Sequence, residues 1–211
     1  MKRSLITIAL LAATVSCFAQ ASPYVFADFS NAKVIKKGGT AAASMNYNTL
    51  TQEMVFMNGT DKAVLDPTGI DTVILQGKKF IPVGKVYYQK YTDTKTPLYV
   101  QWANERTGRS NQQSANINKP MTGSDGGARP GISAADYDLK LKDGEGLQAA
   151  NNFWLQKGGE FHKAGDKKDI IKVFPDKEQV IETFVKDNNT DFKKADDISK
   201  LISFLDKDSG M

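Results

Sequence analysis

"EMVFMNGTDKAVLDPTGIDTVILQGKKFIPVGKVYYQKY", residues 53–91, sets the fold class. Met54 to Met57 and Ala63 to Leu65 are apolar runs separated by Asn58-Gly59. An Asn-Gly step between apolar runs is a strong hairpin signal, because a tight turn needs positive φ and these residues adopt it cheaply. Pro67 and Gly69 supply the next turn, before an extended run carrying Ile70, Val73 and Leu75. Gly77-Lys78 turns the chain again ahead of Phe80 and Ile81, and Val86 to Tyr91 continue the series. Periodic turns between short runs rich in β-branched and aromatic residues predict antiparallel strands.

The pattern extends in both directions. Upstream, "NAKVIKKGGTAAASMNYN" (31–48) places Gly38 and Gly39 at a turn between two extended runs. Downstream, Leu98 to Trp102 reads as one more strand. Residues 24–102 therefore predict seven or eight short strands in a meander. Such a meander must curl or pair faces to bury its apolar side.

Residues 103–150 are rich in Gly, Ser, Asn and Asp, and only Tyr137 to Leu141 alternates like a strand. This composition predicts a flexible polar loop or linker. Phe153 to Leu155, Gly158-Gly159 and Glu160 to Lys163 then read as a hairpin. "DKKDIIKVFP" predicts a helical turn ended by Pro175. Asp176 is the expected cap of a helix carrying Val180, Ile181, Phe184 and Val185 on one face. Ile198, Leu201, Ile202 and Leu205 mark a second amphipathic helix. The expected fold is α+β: an antiparallel β-meander, curled sheet or sandwich, followed by a C-terminal helical pair. Its segments are a leader (1–21), a β-rich domain (22–102), the polar segment (103–150), and a hairpin with helices (151–211) packed on the β domain.

The leader reading rests on Lys2 and Arg3, the uncharged apolar run Leu5–Ser16, and Ala19-Gln20-Ala21 as a small-x-small cleavage pattern. That is the layout of a secretory signal peptide, and the run is too short to span ~30 Å of hydrocarbon. Export to the periplasm or cell exterior is expected, with no transmembrane segment in the mature chain. Cys17, the single cysteine, lies inside the leader. Acylation there would give a lipid-anchored outer-membrane form, but Thr14-Val15-Ser16 lacks the leucine usual three residues before such a cysteine. Cleavage after Ala21 leaves no thiol, which removes disulfides and thiolate chemistry. The full chain has 28 basic and 24 acidic side chains; loss of Lys2 and Arg3 leaves 26 against 24. Without a basic stripe, nucleic acid is not an expected partner.

The tail resembles that of an uncharacterised family of secreted bacterial proteins with a β-rich N-terminal half, a polar Gly/Ser-rich middle and a C-terminal helical "FPDK" segment. Phe174-Pro175-Asp176-Lys177, Ile181, Phe184, Asn188, Phe192, Asp197, Ile198 and Leu201-Ile202 carry the likeness, with Met45-Asn46-Tyr47-Asn48 and Glu53-Met54 in the front half. The resemblance implies architecture and export, and it supplies no catalytic residues.

Tests for chemistry return little. His162 is the only histidine, so a multi-His metal site is excluded. Its place at a hairpin points to a surface or half-packed residue. Gly123-Ser124-Asp125-Gly126 misses the nucleophile elbow, and "GSDGGARPG" lacks the Gly-Lys-Ser/Thr ending of a phosphate loop. Asp143-Gly144-Glu145-Gly146 is too short for a calcium loop. No cofactor, metal or catalytic residue is expected. Tyr87, Tyr91, Tyr99 and Trp102 are the candidate ligand-binding residues, since an exposed row of rings suits sugar rings or peptides. The competing reading packs them in the core. The expected function is a non-enzymatic binding or structural module with a protein or glycan partner at the envelope. The alternatives are a carbohydrate- or lipid-binding protein and a carboxylate-dependent hydrolase.

Overall fold

The computed structural model describes residues 22–108 and 145–207. The leader, Cys17 and the Tyr137–Leu141 run lie outside these residues. Ten strands form one antiparallel sheet. They are β1 (Ser30–Lys36), β2 (Gly39–Asn48), β3 (Glu53–Asn58), β4 (Asp61–Val64), β5 (Ile70–Leu75), β6 (Lys78–Val83), β7 (Val86–Lys90), β8 (Leu98–Gln101), β11 (Asn152–Lys157) and β12 (Glu160–Lys163). Their spatial order is β12-β11-β8-β7-β6-β5-β1-β2-β3-β4. A separate two-stranded ladder joins β9 (Asn104–Thr107) to β10 (Gly146–Ala149). Both ends of the polar segment thus contain paired strands.

The hairpins close near the expected turns, but the one expected at Gly77-Lys78 lies one residue earlier, at Gln76-Gly77, with Lys78 starting β6. Gly59 has φ +66°, and Gln76 and Gly77 have φ +48° and +75°. The Gln76-Gly77 pair matches the primed turn that follows strand twist, with glycine where a side chain would be strained.

The sheet curls without closing. Tyr87 N–H donates to the carbonyl of Gln52 at 3.1 Å, which brings the entry to β3 against β7. The Tyr47 hydroxyl spans the curl, donating to the carbonyls of Tyr87 (3.2 Å) and Trp102 (3.0 Å). Inward-facing Val34, Met45, Tyr47, Met54, Val73 and Phe80 fill the enclosed space. On the outer side of β2, Asn46 is buried beneath the N-terminal segment. It accepts from Phe26 N–H and donates to the carbonyls of Phe26 and Asp28.

The same sheet face continues across β8 and β11, where helices cover it. The registers Gln89↔Val100, Val100↔Phe153 and Leu98↔Leu155 align these side chains on one face. Three helices dock there: α1 (Lys167–Val173), α2 (Glu178–Asp187) and α3 (Ala195–Lys207). Ile170, Ile181, Ile198, Leu201, Ile202 and Leu205 pack on Leu98, Val100, Phe153 and Leu155. Each such side chain contributes about 1.5–3 kcal/mol when fully buried. Asp166 caps α1, its carboxylate accepting from Asp169 N–H at 2.8 Å.

The capping role expected of Asp176 does not hold. Pro175–Lys177 form a 3-10 turn, and α2 begins at Glu178 with no side-chain cap. Pro175 has no N–H to satisfy and a φ preset for a first helical position, so it starts the turn itself and places Asp176 inside it. Lys157 and Lys177 supply the opposite ends: their ammonium groups donate to Val173 O and Leu205 O, both at 2.6 Å. These contacts meet carbonyls in the last turns of α1 and α3, where cations are favoured.

Candidate functional site

The four rings singled out from sequence do not form an exposed row. Tyr87 points into the curled core and is fully buried. Its hydroxyl has no hydrogen-bond partner among the described residues. Burial, followed by the negative charges of Asp66 and Glu53, pushes its titration strongly up. Tyr91 follows on the same side, packed against the helical core, and its hydroxyl donates to Asp196 Oδ1 at 2.5 Å. Burial, then that hydrogen bond and the Asp196 charge, push Tyr91 up to about 12. Trp102 touches both cores and donates from Nε1 to Gln89 Oε1 at 2.8 Å. Of the four, Tyr99 alone faces the opposite side of the sheet.

There it meets three rings that strand-by-strand reading does not group with it: Tyr88 on β7, Trp154 on β11 and Phe161 on β12. Tyr88 and Trp154 stack with centroids 5.9 Å apart and planes 13° apart. Phe161 sets its edge against Tyr88 at 5.8 Å and Tyr99 at 5.1 Å. Tyr88 and Tyr99 are largely covered, at 8% and 4% exposure, while Trp154 and Phe161 remain partly exposed. Burial pushes both tyrosine hydroxyls up.

Amides border the rings. Trp154 Nε1 donates to Gln101 Oε1 at 3.4 Å, and Gln101 Nε2 donates to Gln52 Oε1 at 2.5 Å. The Tyr99 hydroxyl donates to Gln156 Oε1 at 3.1 Å. At the margin, Asp93 pairs with Lys90 at 2.6 Å and Lys79 at 3.3 Å. Their hydrogen bonds and charges hold the Asp93 carboxyl below its ordinary range. The signal for this cluster lay in alternation: with Phe153 and Leu155 facing the helices, Trp154 must face away. The missing information was the neighbour, because β11 inserts beside β8 from some fifty positions along the chain.

This face offers ring surfaces and amide groups, which suit recognition. The other possibilities find less support. His162 sits opposite Leu155 on β12, on the helix side of the sheet and away from the aromatic cluster. No group of three His, Cys, Asp or Glu side chains could hold a metal among the described residues. Among the described residues, the carboxyls that shift all shift down. Asp66 is held low by the Thr68 N–H and hydroxyl, and Asp197 by the Asp191 N–H with Lys200 and Lys194 assisting. A carboxylic acid that donates a proton near neutral pH needs the opposite shift.

The concave side of the sheet holds its own helices and curled core, so the trough expected of a lipid carrier is occupied. A surface cleft of about 170 Å³ lies between Lys95, Lys157, Phe174 and Asp206. It is smaller than the ~300 Å³ where ligand pockets begin. The Lys157 ammonium on its wall is already committed to a helix carbonyl. A second, open depression of about 570 Å³ lies over β1, β2 and β5 beside Lys33, Ala42 and Ile74. No protein-family model, curated protein or solved structure matches the chain.

Proposed function

We propose that the chain is an exported, non-enzymatic binding module that meets its partner through the outer aromatic face of β7, β8, β11 and β12. One observation carries this reading. The inner face of the sheet is consumed by the protein's own core, while the outer face bears Tyr88, Tyr99, Trp154 and Phe161 in mutual contact. The leader pattern supports export.

A glycan is the ligand class this face suits best. Sugar rings stack their C–H faces on aromatic rings, and their hydroxyls pair with amides. Gln101 and Gln156, both partly exposed, stand beside the rings to supply those amides. Isothermal titration calorimetry of the chain from Ser22 onward with soluble cell-envelope oligosaccharides tests both statements. The expected result is a saturable heat of binding that is lost in a folded Trp154→Leu protein. Unaltered binding in that variant would overturn the assignment of the face, and turnover of the oligosaccharide would overturn the non-enzymatic reading.

A further inference from the structure

One rung of the sheet crosses the aromatic cluster and carries lysines on both sides of it. The registers Lys79↔Lys90, Lys90↔Tyr99, Tyr99↔Trp154 and Trp154↔Lys163 run in a single line from β6 to β12. Residues directly opposite one another on antiparallel strands share a sheet face. All five side chains therefore stand on the outer face, with Tyr99 and Trp154 between Lys90 and Lys163. Phe153 O accepts from Ala164 N–H at 2.9 Å, which makes the next pair, Trp154 and Lys163, the non-hydrogen-bonded kind whose side chains lie closest. Neighbouring strands lie about 4.8 Å apart, so the backbones at Lys90 and Lys163 are separated by about 14 Å.

The charges along this rung do not cancel. Asp93 pairs with both Lys90 and Lys79 and neutralises one of them. Lys163 is exposed and pairs with no acidic side chain among the described residues. Two positive charges remain, one on each side of the rings. Lysine is a hydrated point charge on a flexible stem, without the fixed fork of arginine. It suits an anionic group whose position is set by something else, and here the rings set it.

We propose that the outer face takes an acidic glycan. One sugar seats on the exposed part of Trp154, and carboxylates on the flanking sugars meet Lys163 on one side and Lys79 with Lys90 on the other. The inference rests on the reading of this face as a glycan site, and it adds the charge of the sugar. A neutral glycan would leave both unbalanced lysines unused. Exposed ion pairs contribute little one by one, and salt screens them. The preference for acid is therefore moderate and depends on ionic strength.

Isothermal titration calorimetry of the chain from Ser22 onward tests the proposal. The probes are an oligogalacturonate of defined length and the same oligomer with its carboxyls reduced to alcohols. The acidic form should bind about tenfold more tightly at low salt, and the ratio should approach one by about 0.5 M salt. Combining Lys79→Gln with Lys163→Gln removes both unbalanced charges and leaves Lys90 paired with Asp93 at 2.6 Å. Both sites are exposed, so the circular dichroism spectrum should not change. In this double variant the preference should vanish. Lys186→Gln, at an exposed site on α2 behind the sheet, should keep it. Equal affinity of the wild-type chain for the two oligomers overturns the charge assignment and leaves the glycan reading in place. Binding of neither oligomer overturns both. A double variant that keeps the wild-type preference shows that the acid is held elsewhere and overturns the proposal.

Discussion

The two ends of the sheet bury the same face by different means. At β8 and β11, amphipathic helices bring Ile and Leu side chains onto the sheet. At β1 to β7 no helix residue among those described joins the core, and the strands bend until Met45, Tyr47, Met54, Phe80 and Tyr87 meet one another. The helical end is filled mainly by aliphatic residues from two preformed surfaces, with Phe153 and Phe174 beside them. The curled end needs long and aromatic side chains to reach across its interior, and it carries a buried polar strut in the Tyr47 hydroxyl. A sheet too long for its helices thus remains stable by using its own curvature as a cover.

The strongest way to break this comparison is to ask whether the two ends unfold together. Leu201→Ala and Met54→Ala each remove a fully buried side chain, one from each core. Each should cost about 2–5 kcal/mol. Trp102 touches both cores, so its fluorescence and far-ultraviolet circular dichroism should report one coincident denaturation midpoint in both variants. Separate midpoints would mean that the helical and curled ends are independent units.

A smaller effect sharpens the view of the curl. Tyr47→Phe keeps the ring stacked on Phe80, with centroids 5.5 Å apart, and deletes only the strut. The carbonyls of Tyr87 and Trp102 then lose that donor, for a cost of about 1–3 kcal/mol by urea denaturation. No measurable change would mean that the backbone bond from Tyr87 to Gln52 holds the curl alone.

The smallest effect probes the helical end. Tyr91 joins the end of β7 to the first turn of α3 through Asp196. Burial first, then that hydrogen bond and charge, raise its folded titration from 10.0 to about 12. A raised folded value means the stabilisation is complete below the unfolded value of 10.0 and disappears as pH climbs through about 12. The stability advantage of wild type over Tyr91→Phe should therefore shrink between pH 10 and 12, measured as the difference in urea midpoint. A constant difference across that window would count against the bond.

The local elements were legible in the sequence. Asn58-Gly59, Pro67 to Gly69 and Gly158-Gly159 mark turns through backbone chemistry carried by the residues themselves. The spacing of Ile198, Leu201, Ile202 and Leu205 likewise gives α3 its apolar face without outside help. What sequence leaves undetermined is adjacency. Nothing in Leu98–Gln101 says that β11 will lie beside it, and without that pairing Tyr99 cannot be matched to Trp154 and Phe161. The aromatics of β7 and β8 were visible as a group, but their division between two faces and two cores depends on long-range register. Asp176 shows the local limit: a good capping residue loses the position when Pro175 starts the turn one residue earlier.

The ladder of β9 and β10 has a topological consequence. Thr107 lies opposite Gly146, so the chain leaves the described body at one rung and returns at the same rung. Whatever lies between these two points, its ends are already brought together. Loop-closure entropy grows only logarithmically with length, by about 0.6 kcal/mol per doubling. The entropy of closing the chain between these two points is therefore nearly indifferent to how many residues separate them.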